Sequence, residues 1–347
     1  MEPADPTPRA PLRLERRRFM AMVSGGLLAA PLTAEAEQAG KVYRIGSLYT
    51  EQPTIPQGQG PFYDRMRELG WVHGQNFVVE RRAFGDQIER IPDLAAELMR
   101  SGVDIFMVAG SITSRHLQQV TRTIPIVTSN AGDLVQGGLA ASLARPGGNV
   151  TGVQTLMPEL SGKHLSLLKE VIPGFSRSGI LIGELGVTEA ELRSITYGPM
   201  IREAETSGQA LGVRLQVVGV HRVEAFDAAF SAFRDQRAQG ILVLRSNFLG
   251  NHQKTIADLA LKHRIPTISD LPGFVRVGAL MSYGYDPREA GRLLAETIDK
   301  ILRGAKASEV PIRQVTRFQL LINIKTAKAL GLTIPPLLLG RADHIIE

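Results

Sequence analysis

The chain contains no cysteine. That excludes disulfides, thiolate metal sites, a cysteine nucleophile and a lipid-modified N-terminal cysteine together. Aromatics are scarce at 5%, and no basic run is interleaved with them, so the net charge of +6 reads as a mildly basic surface and no nucleic-acid partner is expected. No stretch carries the roughly eighteen consecutive apolar residues of a membrane-spanning helix. There is no G-x-x-x-x-G-K-[ST] and no H-E-x-x-H. Gly58-Gln59-Gly60 is only a fragment of a dinucleotide fingerprint. No G-x-S-x-G elbow occurs. The seven histidines are scattered, with His252 and His263 read as surface or interface residues, so no metal and no cofactor are expected. The missing motifs favour binding over catalysis.

What is present is a globular composition. Of 347 residues, 44% are hydrophobic and 21% charged, enough for two domains of ordinary size. Residues 1–36 read as an export signal rather than as part of the fold. Arg16-Arg17-Arg18-Phe19-Met20 supplies a basic region of twin-arginine type. A moderately apolar run, AMVSGGLLAAPL, follows, and Ala34-Glu35-Ala36 forms a small-x-small site. The apolar run is about a dozen residues, too short to span a bilayer. The mature protein is expected to be soluble in the periplasm.

Beyond that signal, strands and helices alternate every twenty to thirty residues. Val42–Leu48, Asn76–Ala83 and Val103–Ala109 read as strands, the last apolar but for Asp104, as in a parallel sheet covered on both faces. Pro61–Leu69, Ile91–Met99 and Ser111–Val120 read as helices, the third capped by Ser111. The segment 124–153 reads as strand, polar loop and helix. Asp133 caps that helix, Leu134, Leu139 and Leu143 line one face of it, and Arg145-Pro146-Gly147-Gly148 stops it. A loop at a strand's carboxyl end beside a helix start is where open α/β sheets take small ligands.

The pattern then restarts from Leu160, with strands at Arg177–Gly183, Arg214–Val220, Ile241–Leu244 and Pro266–Ser269. Phe226, Phe230 and Phe233 form a core stripe on an intervening helix. Pro287–Arg303 is one amphipathic helix, and Gln319–Asn323 a late strand followed by a helix to Leu330. The expected architecture is two doubly wound α/β lobes with the chain crossing between them. The first lobe takes residues 41–156 and 285–304, the second 157–284 and 305–347, with a cleft between.

Several motifs extend this. Arg67-Glu68-Leu69-Gly70-Trp71-Val72, Ser142-Leu143-Ala144-Arg145-Pro146-Gly147-Gly148-Asn149-Val150-Thr151-Gly152, Glu159-Leu160-Ser161-Gly162-Lys163, Leu280-Met281-Ser282-Tyr283-Gly284 and Asn323-Ile324-Lys325-Thr326-Ala327 through Pro335-Pro336 are the longest. In this order they closely resemble the ABC-transporter substrate-binding protein family that includes the bacterial tryptophan/tyrosine-binding proteins. The resemblance covers about residues 41–347. It implies a type I periplasmic-binding-protein fold, two Rossmann-like lobes joined by three crossovers, a ligand trapped as the lobes close, and delivery to a membrane permease. The sequence departs from the family at two strand ends. Gly183-Glu184-Leu185-Gly186 stands where many members carry a loop containing Asn-Pro, and Arg245-Ser246-Asn247-Phe248 where many carry Asp-Pro.

The candidate ligand contacts are loops at strand carboxyl ends: Tyr49 and Thr50, Gly110 and Ser111, Ser129 and Asp133 in the first lobe, and Glu184, Asn247, Phe248, Asp270 and Tyr283 in the second. Ser111 lies at a helix start that favours a carboxylate. Asp133, Glu184 or Asp270 suits an ammonium, and Tyr49, Phe248 or Tyr283 an apolar face. N-capping competes for Ser111 and Asp133, and hinge packing for Tyr283. The leading function is a monomeric, non-enzymatic receptor for an amino acid or related carboxylate. Its alternatives are a sensory subunit docking on a histidine kinase or chemoreceptor, and an enzyme on the same scaffold.

Overall fold

The computed structural model describes residues 40–50, 56–85, 87–155, 158–183 and 197–347. The proposed export signal, and Glu184 with the loop that follows it, lie outside the described residues. Residues Tyr43–Glu347 cluster as one unit.

The first lobe runs β1 (Tyr43–Tyr49), α1 (Pro61–Glu68), β2 (Phe77–Ala83), α2 (Ile91–Arg100), β3 (Ile105–Ala109), α3 (Ser111–Val120), β4 (Ile126–Ala131) and β5 (Val150–Gln154). The second runs α4 (Leu160–Val171), β6 (Arg177–Gly183), α5 (Gly198–Leu211), β7 (Arg214–Val220), α6 (Ala225–Asp235), β8 (Gly240–Val243), α7 (Asn247–Asn251), α8 (Gln253–Lys262), β9 (Thr267–Ser269), α9 (Pro272–Arg276) and β10 (Met281–Tyr285). The tail adds α10 (Pro287–Leu302), β11 (Arg313–Gln314), β12 (Phe318–Asn323), α11 (Ile324–Leu330), α12 (Pro336–Leu339) and β13 (His344–Ile346).

One sheet has the order β11-β5-β4-β3-β1-β2 and the other β13-β12-β10-β9-β8-β6-β7. All pairings are parallel except β10 with β12. Each sheet has a core on both faces, which is why strands such as β3 and β8 are buried along nearly their whole length. The type I two-lobe architecture expected from sequence is the one observed.

The chain passes between the sheets three times: between β5 and α4, with Thr155 at its start, at Asp286, and at residues 315–317. The second pass delivers α10 back to the first lobe, where Leu293, Ile298 and Leu302 join the core beside Tyr63 and Met66 of α1. Gly291 makes that contact close. A Cβ there would come within 2.8 Å of the Pro61 side chain and 3.0 Å of Phe62 N. Trp71 Nε1 donates to Asp299 at 2.8 Å, fixing the same packing from the side.

Two expectations are corrected. Residues 134–143 form turns, not a helix. Gly137 and Gly138 make a helix there expensive, and Gly138 takes a left-handed φ of 69°. Leu134 and Leu139 are buried as the helix reading required, but from a loop. Second, residues 305–347 do not all belong to the second lobe. Arg313 and Gln314 pair with Val153 and Gln154 of β5, Thr151 Oγ1 donates to the Val310 carbonyl at 2.7 Å, and Ile312 lies in the first lobe's core. A two-residue strand carries too few residues to show alternation in sequence. The chain rejoins the second lobe only at Phe318.

Candidate functional site

In both lobes the strands other than β12 and β13 point their carboxyl ends at the three crossovers, so the loops after β1, β3 and β4 and those after β8, β9 and β10 border the same region. A surface depression of about 530 Å³ beside Lys169–Phe175 and Leu211 lies at the opposite, amino end of the second sheet. It is not part of this region.

In the first lobe the predicted residues are tied mainly to neighbouring backbone groups. Tyr49 and Thr50 accept the N–H groups of Phe84 and Gly85 through their carbonyls, each at 2.9 Å. The Arg81 guanidinium lies over the Tyr49 ring at 5.6 Å. Gly110 N donates to the Ser129 carbonyl at 2.8 Å, joining the ends of β3 and β4. Gly110 itself, at φ 84°, is the residue before α3, and no side chain caps that helix. Ser111 is therefore the first helical residue and not the cap, since its hydroxyl accepts Gly132 N at 3.2 Å. The uncapped turn leaves backbone donors and the positive end of the helix dipole at this edge. Asp133 is exposed, and its carboxylate is occupied by Val135 N and Gln136 N at 2.9 and 3.0 Å. It caps a single turn.

In the second lobe the outcome is divided. Glu184 lies outside the described residues. Asn247 opens α7, whose cap is Ser246, the Oγ accepting Leu249 N at 3.0 Å. Phe248 is 1% exposed and stacks on Phe226 with centroids 5.5 Å apart, so its ring belongs to the lobe's core. Tyr283 is half-buried, stacks on Phe318 at 6.0 Å and meets His164 edge-on. Its ring therefore packs beside the third crossover.

Asp270 sits in the part that sequence reasoning missed. Arg245 follows β8 and Asp270 follows β9; both are buried, with Arg245 Nε 3.2 Å from Asp270 Oδ2. The same guanidinium donates from Nη2 to Thr155 Oγ1 in the first crossover at 2.8 Å. Its carbon lies 4.7 Å from the centroid of the Tyr285 ring, next to the second crossover. Burial pushes the Tyr285 hydroxyl up in pKa, against the pull of Arg245. Gly284 makes the arrangement possible: a Cβ there would overlap the Asp270 carbonyl.

Beneath lies His164 of α4. Its Nε2 is 2.6 Å from the Tyr283 carbonyl, so that nitrogen carries the proton and Nδ1 is an acceptor. Burial holds its pKa below 6.5, opposed by the Tyr283 carbonyl and by Asp270, and the ring is neutral. His164, Arg245, Asp270, Ser161, Leu160 and Met200 line a void of about 10 Å³. Arg245 Nη1, Asp270 Oδ1 and His164 Nδ1 are all buried without a hydrogen-bond partner. The one sequence signal was an arginine placed directly after the apolar strand Ile241–Leu244, where burial costs most.

Among the described residues no cluster of three or more His, Asp or Glu side chains is arranged to hold a metal ion. No helix among them is long and apolar enough to cross a membrane.

Comparison with known proteins agrees with this architecture. A curated tyrosine-binding protein of Clostridioides difficile (strain R20291) is 22% identical over 288 residues, 82% of this chain and 80% of its own. The crystal structure of a conserved domain protein from Vibrio cholerae superposes with a TM-score of 0.78 at 23% identity, covering 88% of this chain and 99% of that one. A Streptococcus pneumoniae ABC domain in complex with L-Trp superposes at 0.77 and 21% identity, covering 88% of this chain and 100% of its own. The model of the ABC transporter substrate-binding protein family matches residues 49–346, essentially the whole two-lobed unit, and the chain belongs to that family.

Proposed function

We propose that the protein is the exported receptor of an ABC importer. It captures an amino acid or related carboxylate between its lobes and delivers it to a permease in the inner membrane. The observation that carries this reading is the set of three crossovers bordered by strand carboxyl ends from both sheets: a hinge with polar loops on either side. The ligand class is supported by the relatives named for tyrosine and bound to L-Trp. Export to the periplasm rests on the basic, apolar and small-x-small pattern of residues 1–36. The reading is of a monomer without enzymatic activity, since both lobes must face a membrane partner.

The test is a thermal-shift screen of residues 37–347, stripped of carried-over ligand by unfolding and refolding. Amino acids, organic acids, nucleosides and sugars are the panel. A ligand at a hundred times its dissociation constant adds about 2.7 kcal/mol. The expected result is stabilisation by an amino acid that is recovered unchanged. Stabilisation only by sugars or nucleosides, or recovery of an altered ligand, contradicts the proposal.

A further inference from the structure

The Arg245 guanidinium is buried, yet it is not saturated. Nη2 is held by Thr155, and Nε lies 3.2 Å from Asp270 Oδ2 as an ion pair without hydrogen-bond geometry, while Nη1 has no hydrogen-bond partner at all. An unmet donor on a buried charged group is costly, so such a group is kept where something meets it in the working state. The void it borders also receives the first turn of α4 through Leu160 and Ser161, and no side chain caps that helix. A guanidinium donor and the positive end of a helix dipole thus converge on one space. At about 10 Å³ the void takes one oxygen atom, not a side chain. Asp270 Oδ1, an unmet acceptor, borders the same space.

Resting on the amino-acid reading above, we propose that Arg245 is the specificity-determining residue of the site: Nη1 receives one oxygen of the solute's carboxylate, while Nη2 keeps its bond to Thr155. Because the guanidinium that reads the carboxylate also grips the first crossover and covers Tyr285 beside the second, solute charge is felt at the hinge itself.

The test pairs each amino acid with its carboxamide, beginning with L-tryptophan and L-tryptophanamide and continuing through the proteinogenic set. Binding to the purified protein is measured by calorimetry. For the wild type, replacing carboxylate by carboxamide is expected to weaken binding roughly thirtyfold, the scale of a charge-assisted hydrogen bond. In Arg245→Gln the same replacement is expected to cost less than about threefold. If the wild type binds an amino acid and its carboxamide alike, this assignment falls and the amino-acid reading stands. If no amino acid binds at all, both fall. The wild-type comparison decides the matter even if Arg245→Gln fails to fold. The double variant Arg245→Met/Asp270→Asn, which removes both charges together and leaves no unpaired buried charge, is a second control expected to show no carboxylate preference.

Discussion

Glu289, in the first turn of α10, accepts Thr316 N at 2.9 Å and Arg317 N at 2.7 Å, with the Thr316 hydroxyl at 2.8 Å on its other oxygen. A first-lobe helix thereby holds the third crossover, and Asp286 N donates to the Arg317 carbonyl at 2.9 Å beside it. Two of the three passes are stitched into one ribbon.

The first prediction follows from that carboxylate. Burial alone would raise its pKa, but the bonds from Arg317 and Thr316 override burial and hold it below 4.5. A carboxyl depressed in the fold stabilises above its unfolded pKa and loses that contribution as pH falls through the folded one. Glu289→Gln is expected to cost about 2 kcal/mol at pH 7, with the gap to wild type closing below about pH 4.5. Urea unfolding at a series of pH values measures it.

His164 gives the opposite kind of pH dependence. Its ring is neutral in the fold, so the unfolded chain binds a proton that the folded chain refuses. Stability therefore falls as pH drops below about 6.5, toward the folded pKa. His164→Gln keeps a donor for the Tyr283 carbonyl without titrating. It is expected to show a flatter melting temperature between pH 7 and 5 than the wild type, and equal slopes would refute the assignment.

Gly284 is the third target. Any Cβ overlaps the Asp270 carbonyl, so Gly284→Ala must push β10 away from β9. A loss of about 3 kcal/mol is expected from the forced shift. Ligand affinity is expected to fall with it, because Asp270 moves. Calorimetric melting together with a binding isotherm separates the two effects.

Phe248 provides a control within the same loop. Its ring stacks on Phe226 in the core of the second lobe. Phe248→Ala is expected to cost 3–5 kcal/mol of stability, while the ranking of ligands stays unchanged. A reordered ligand preference would return the ring to the site.

These predictions also show what the sequence made readable. Val103–Ala109 and the α10 stripe Leu293, Leu294, Ile298, Ile301 and Leu302 have one possible partner, a covered sheet, so the lobes were legible. The family motifs then supplied the connection between lobes. The helix expected at Leu134–Leu143 failed because apolar spacing was weighed without the two glycines among it. Phe248 after a strand reads equally as a ligand platform or a core ring, and only packing decides. The Arg245–Asp270–Thr155 set was hidden for another reason. Its members lie up to 115 residues apart in number and meet only once β8, β9 and the first crossover are side by side.

The central claim is that an amino acid closes two lobes about this hinge. The absence of native cysteine makes a direct measurement clean. Gln136→Cys and Arg222→Cys, both exposed and placed after β4 and β7, carry spin labels on opposite lobes. Pulsed electron resonance then gives the distance between them, with and without each proteinogenic amino acid. The account predicts that at least one amino acid shifts the distribution to a shorter, narrower distance. A distribution that no amino acid changes would contradict it.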